Sequence, residues 1–146
     1  MIKIDFPTPV FKIKKEGEKE FIFDELRKKW VRLTPEEWVR QNFIQYLIQT
    51  KKYPSALIGV EKEIKLGELR KRFDLLIYNT IHEPWMLIEC KAMSVALNDD
   101  VLQQLLRYHV SIPVNYLLIT NGSYTACYKK SEVGIELLTD LPNFQE

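Results

Sequence analysis

Two short segments carry the residue types that could do chemistry. The first is Lys71-Arg72-Phe73-Asp74, running into the apolar Leu75-Leu76-Ile77; the second is Met86-Leu87-Ile88-Glu89-Cys90-Lys91. Each sets an acid at one end of an apolar, strand-like run, and the second adds a lysine two residues beyond its acid. Side chains alternate faces along a strand, so Glu89 and Lys91 point one way and Cys90 points the other, into core. A hairpin turning symmetrically about Ile81 and His82 puts Asp74 opposite Glu89, and directly paired residues share a face with Cβ atoms roughly 5 Å apart. Two carboxylates and an ammonium then converge. Hard oxygen ligands of this kind suit Mg²⁺ or Mn²⁺, which keep several waters and take one or two carboxylates beside phosphate oxygens. Asp74 and Glu89 are the expected metal ligands, helped by the Cys90 carbonyl. Lys91, a cation beside two acids, suits orienting a water and stabilising charge on phosphorus better than acting as a free base. The chemistry of such a set is phosphodiester hydrolysis. The competing reading is a salt-bridged surface patch, which the spacing alone does not exclude. The apolar residues flanking both acids favour a site beside buried sheet.

The elements that must position these residues are short. Residues 10–14 and 20–23 read as an N-terminal pair of strands. Thr34-Pro35-Glu36-Glu37 opens a helix over residues 34–49, with Thr34 as cap, Pro35 at the first position and Glu37 completing a capping box. Val39, Phe43, Tyr46 and Leu47 recur at helical spacing and face inward, and Tyr53-Pro54 ends the element. Residues 57–65, 73–78 and 85–92 read as three antiparallel strands with a turn at Gly67. A helix over 98–110 carries Val101, Leu105 and Tyr108 on one side, followed by strands at 116–120 and 124–129 joined by an Asn121-Gly122 turn. This order describes an α/β (α+β) domain with a central mixed sheet flanked by helices.

Composition sets the outer limits. With 46% hydrophobic and 28% charged residues, the 146-residue chain is of ordinary globular type. It is expected to form a single domain over residues 1–146, a core at about 33–130 following a β-rich extension. A formal net charge of +1 is not that of a strongly basic nucleic-acid binder. Basic residues nevertheless cluster at Lys12, Lys14 and Lys15, at Arg27, Lys28, Lys29 and Arg32, and at Lys62, Lys65, Arg70, Lys71 and Arg72. They either neutralise phosphates or decorate solvated strand edges. Cys90 and Cys127 lack metal-type spacing and read as reduced thiols. Residues 1–7 carry no apolar signal core and no run approaches a membrane span, so a cytoplasmic protein without membrane contact is expected. His82 and His109 read as ordinary exposed or capping residues, and Trp38 and Trp85 as core or rim packing.

Several segments, taken in order, resemble a known family. Thr34-Pro35-Glu36-Glu37-Trp38-Val39-Arg40, Lys71-Arg72-Phe73-Asp74, Leu87-Ile88-Glu89-Cys90-Lys91-Ala92, Gln104 with Tyr108, and Leu118-Ile119-Thr120-Asn121-Gly122 are together similar to the N-terminal nuclease domain of type I restriction enzyme R subunits, in the PD-(D/E)XK superfamily. The resemblance covers roughly residues 33–129. It implies a restriction-endonuclease-like fold and a Mg²⁺- or Mn²⁺-dependent nuclease acting on DNA, with Asp74, Glu89 and Lys91 in the catalytic positions. It also implies a further acid on the first helix, Glu37, although capping gives that residue a sufficient structural reason. Gln104 and Tyr108 resemble a Gln-x-x-x-Tyr pair that contacts the site or the DNA backbone, with Arg72 beside them; Tyr108 fits core equally well. Phe73 stands where the superfamily name has proline, which leaves the acid in place. No Gly-x-x-x-x-Gly-Lys-[Ser/Thr] loop occurs, so an ATP-driven motor is not expected within these residues. The alternative function is a non-catalytic module that binds nucleic acid or a partner on the same fold. Either is compatible with a homodimer or a partner protein.

Overall fold

The computed structural model describes residues 1–144. Its elements are β1 (Ile2–Lys3), β2 (Ile13–Glu16), β3 (Lys19–Asp24), β4 (Lys29–Arg32), α1 (Pro35–Gln45), β5 (Ile58–Leu66), β6 (Leu69–Tyr78), β7 (Pro84–Cys90), α2 (Asp99–His109), β8 (Tyr116–Thr120), β9 (Tyr124–Ser131) and β10 (Gly134–Leu137). The main sheet runs β1-β9-β8-β7-β6-β5, with β10 on the same side of β9 as β1. Its β7–β8 pair is parallel and its other pairs are antiparallel, as expected of a mixed sheet with α2 as the crossover. Strands β2, β3 and β4 form a separate antiparallel sheet.

Both faces of the main sheet are covered, which is why β7 reads as continuously apolar rather than alternating. Leu75, Ile77, Met86, Ile88 and Cys90 pack with Val39, Phe43 and Leu47 of the α1 segment. Leu76, Leu87, Leu117 and Ile119 pack with Leu105 of α2 and with Ile112 and Val114 beyond it. Both cysteines are free and buried, in keeping with reduced thiols. Among the described residues no helix is long and apolar enough to cross a membrane.

The differences from the expected elements have local causes. Thr34 caps α1, accepting from the Glu37 amide at 3.1 Å. The helix then stops at Gln45 and passes into a π turn, Tyr46–Thr50, which keeps Tyr46 and Leu47 buried, so the apolar pattern reads straight through the change. Strand β6 begins at Leu69 rather than at residue 73, because Arg70, Lys71 and Arg72 pair with Lys65, Ile64 and Glu63 in a solvated hairpin arm that no apolar pattern marks. The arm turns at Gly67, whose φ of +61° suits a residue without a side chain. The first N-terminal strand starts at Ile13 rather than at residue 10, with Val10 exposed. Strands β1, β4 and β10 were not expected, being short and rich in exposed or charged positions.

A buried ionic network joins the small sheet to the rest. Asp24, fully buried on β3, accepts from the amides of Leu26 and Arg27 at 2.8 and 2.9 Å, from Arg27 Nε at 2.6 Å and from Gln41 Nε2 at 3.0 Å. Glu37 accepts from Arg40 Nε at 2.9 Å, Gln41 Nε2 at 3.0 Å and Arg27 Nη2 at 3.3 Å. Burial opposes ionisation of both carboxyls, but these hydrogen bonds and the arginine charges outweigh it and hold both below their ordinary values. Two carboxyls with lowered folded pKa values contribute stability above their unfolded values and lose it as pH falls through the folded ones. Stability should therefore decline below about pH 4. Asp24→Ala should cost about 3–5 kcal/mol in urea unfolding at pH 7, since it removes the buried acid that accepts from Arg27 Nε, Gln41 Nε2 and the Leu26 and Arg27 amides. A loss under about 1 kcal/mol would show that the network does not join the two sheets.

Candidate functional site

The site forms where β6 and β7 part. Leu75 pairs with Ile88, Leu76 with Leu87 and Ile77 with Met86, so Asp74 and Glu89 come next in register, as the symmetric hairpin predicts. On the other side, Val60 pairs with Leu75 and Lys62 with Phe73, leaving Glu61 unpaired opposite Asp74 with a φ of +53°. The β5–β6 register is the same on either side, so the ladder is interrupted at Asp74 without an inserted residue. The Asp74 carboxylate accepts the Cys90 amide at 2.7 Å, which anchors it across the gap.

The two acids lie in opposite electrostatic settings. Burial raises the pKa of Asp74, with the Cys90 hydrogen bond and the Arg40 charge offsetting it only in part. The hydrogen bond from His109 lowers that of Glu89 against the effect of burial, with the Lys91 and Lys71 charges adding to it. His109 Nε2 lies 2.7 Å from Glu89 Oε1. A carboxylate only accepts, so Nε2 carries the donated proton. Among the described residues the buried Nδ1 has no hydrogen-bond partner.

An opening of about 360 Å³ is lined by Asp74, Glu89, Cys90, Lys91 and Arg72, so all three chemically active side chains border one space. On the α2 side it adjoins a groove of about 510 Å³ lined by Lys71, Arg72, Lys91, Gln104, Tyr108 and His109. On the α1 side, a cavity of about 400 Å³ brings Asp74 and Cys90 beside Glu37, Arg40 and Glu61. The loop after β7 is pinned by the Lys91 amide donating to the Thr120 carbonyl at 2.8 Å and by Asn121 Nδ2 donating to the Val95 carbonyl at 2.8 Å. Asn121 Oδ1 also closes its own turn on the amides of Ser123 and Tyr124. Gly122, with φ at +92°, lies where a Cβ would crowd Met93, Phe6 and Val39 at 3.3–3.4 Å, so the Asn-Gly corner also sets how closely α1 approaches.

The expected residues meet with these corrections. Glu37 does not complete a capping box: both its oxygens are taken by Arg40, Arg27 and Gln41, and it reaches Asp74 only through Arg40. The base beside Asp74 is Arg40, which the sequence reading did not single out and whose Nη1 lies 3.8 Å from Asp74 Oδ1, while Arg72 lines the opening. Tyr108 is not core; it is 56% exposed, and Lys71 donates to its carbonyl at 2.6 Å. The Cys90 thiol is buried on the α1 face and its pKa is pushed well up by burial, so only its backbone can serve the site. His109 is not an exposed residue: at 8% exposure it supports Glu89. The signal for it was its place four residues after Leu105, on the same helix face. Arg40 was legible in the same way, one turn after Glu37.

Among the described residues, no three acidic, histidine or cysteine side chains stand close enough to hold an ion between them. Two carboxylates and a backbone carbonyl are instead a donor set for a hard cation that keeps waters, and do not resemble a closed zinc cage.

The family described as type I restriction enzyme R protein N terminus matches residues 35–142, from α1 to beyond β10 and through the whole candidate site. No curated protein matches the chain. Strands β1 to β4 lie outside the matched span.

A carboxyl whose folded pKa is raised opposes folding once ionised, and its cost appears as pH rises from its ordinary value of 3.8 through the folded value. Without divalent metal at pH 7, Asp74→Asn should therefore be at least as stable as the wild type. Solvent screening at a side chain 39% exposed limits the gain to about 1 kcal/mol. Thermal melts in EDTA read this directly. A clearly lower melting temperature for Asp74→Asn would mean that pairing with Arg40 outweighs burial.

Proposed function

The chain belongs to the type I restriction enzyme R protein N-terminal family, and on that premise we propose that it is a metal-dependent nuclease hydrolysing phosphodiester bonds in DNA. The observation that carries the reading is the meeting of Asp74, Glu89 and Lys91 on one opening at the parting of β6 and β7. Asp74, Glu89 and the Cys90 carbonyl would hold Mg²⁺ or Mn²⁺, which when bound supplies charge neutralisation at the phosphate and a more acidic water.

The chain's own residues do the rest. The Cys90 amide fixes Asp74, and His109 holds Glu89 ionised and oriented, leaving Glu89 Oε2 for the site. Lys91 orients the attacking water and stabilises negative charge developing on the phosphoryl oxygens. Lys71, Arg72, Gln104 and Tyr108 line the adjoining groove, where backbone phosphates are the expected contacts. Glu37 acts through Arg40 as a positioning residue for Asp74. DNA is the proposed partner, with a second copy or other restriction subunits completing the assembly in the cytoplasm.

One observation favours a non-catalytic DNA-binding module. Arg40 already stands beside Asp74 and competes with a cation for it.

Nicking of supercoiled plasmid separates the two readings. With Mg²⁺ or Mn²⁺ the wild type should nick and in EDTA it should not. Lys91→Ala should lose on the order of 10²-fold or more in rate, and Lys91→Arg should fail as well, because a planar guanidinium does not replace a compact ammonium. Metal at about 100 times its dissociation constant should still stabilise Lys91→Ala by roughly 2.7 kcal/mol, as it does the wild type. Duplex binding without any metal-dependent nicking would establish the non-catalytic module. Nicking by Lys91→Ala at the wild-type rate would remove that lysine from the mechanism.

A further inference from the structure

The small sheet lies outside the matched span and carries aromatic and basic side chains that the site at β6 and β7 does not use. Cross-strand partners share a face, so Lys14, Phe21 and Arg32 stand together, as do Phe23 and Trp30 one step along. The opposite face carries buried Ile22 and Asp24. Lys14 Nζ lies 4.5 Å from the Trp30 ring centroid and Lys12 Nζ lies 5.6 Å from that of Phe23. Trp30 is 38% exposed and meets Phe23 edge to face at 5.4 Å. Lys12, Lys14, Lys19 and Arg32 stand on this face, with Glu16 paired to Lys14 at 3.0 Å and Glu25 beside Lys12 and Phe23 at its edge.

We propose that this face is a binding site for single-stranded nucleic acid, with bases stacking on Trp30 and Phe23 and phosphates held by Lys12, Lys14 and Arg32. Partly exposed rings interleaved with cations, Trp30 the most open of them, match unpaired bases, whose faces are free, and not a duplex, whose base faces are hidden. Three strands about 4.8 Å apart give a platform about 10 Å across, wide enough for neighbouring bases. Lysine stems are flexible, so the ammonium groups over the rings can move onto phosphates as bases take their place. An acidic peptide satisfies the charges but leaves the rings unused. Arg32 also lines the cavity that holds Asp74 and Cys90, so a bound strand leads towards the cleft. That path rests on the nuclease reading; binding to the face does not.

The test is fluorescence anisotropy of labelled oligo(dT) 12-mer in EDTA at low salt, where no cleavage interferes. Trp30→Ala should weaken binding on the order of tenfold or more, while Trp30→Phe, which keeps an aromatic face, should restore most of it. Trp30→Leu keeps bulk without a π face and should behave as Trp30→Ala, which covers the case in which alanine disturbs folding. Lys12→Ala with Lys14→Ala should lower the logarithmic salt slope by about 1.4. Binding is read in EDTA whether or not the wild type nicks plasmid, so failure of the nuclease reading leaves this result readable. The proposal is overturned if the wild type does not bind, or if Trp30→Leu and Trp30→Ala bind as tightly as wild type. Displacement by polyglutamate as effective as by unlabelled oligo(dT) would also overturn it, and would assign the face to an acidic protein.

Discussion

A guanidinium taken out of water must be matched by acids, and that constraint organises this molecule around Arg40. Its partners are Glu37 one turn back on α1, Glu61 on β5 at 3.2 Å, and Asp74 at 3.8 Å. Burial disfavours its charge, yet these acids hold its pKa above the ordinary arginine value. Arg27 shares two of these elements, reaching Glu37 at 3.3 Å and Glu61 at 3.5 Å while bound to Asp24. A continuous run of charge thus leads from the small sheet through α1 to the candidate site. Such a network specifies how elements dock more than it adds net stability, because desolvation offsets much of the attraction.

The same economy shapes the site. Asp74 and Glu89 come next beyond the β6–β7 ladder but receive different support, one from a backbone amide and the neighbouring Arg40, the other from a buried histidine. Their pKa values move in opposite directions, a division that lets neighbouring carboxyls take unequal roles. The supports come from both sides of the sheet, Arg40 from α1 and His109 from α2. Neither helix alone would complete the arrangement.

Much of the frame could be read from the chain. Apolar runs around Leu75 and Leu87 fixed two strands, the placing of Ile81 and His82 set a register that the β6–β7 ladder follows, and Thr34 with Pro35 marked the start of α1. Asn98 likewise caps α2 through the Val101 amide at 3.0 Å. These signals are legible because each depends on residues within a few positions of one another, where period, capping and turn chemistry act. The hairpin arm at Arg70 to Arg72 and the short strands β1, β4 and β10 were not, because solvated strands carry no apolar alternation.

What only the tertiary structure decided is which polar groups meet. Asp24 bonds Gln41 across 17 residues, Arg40 bonds Glu61 across 21, and His109 bonds Glu89 across 20. From the sequence, Glu37 is a capping acid, Arg72 is the nearest base to Asp74, and His109 is a helix-end residue. Folding reassigns all three, because a buried charge takes whichever opposite group the packing brings within hydrogen-bond reach. Sequence proximity sets local conformation; the match between buried charges is settled only when helices close on both faces of the sheet.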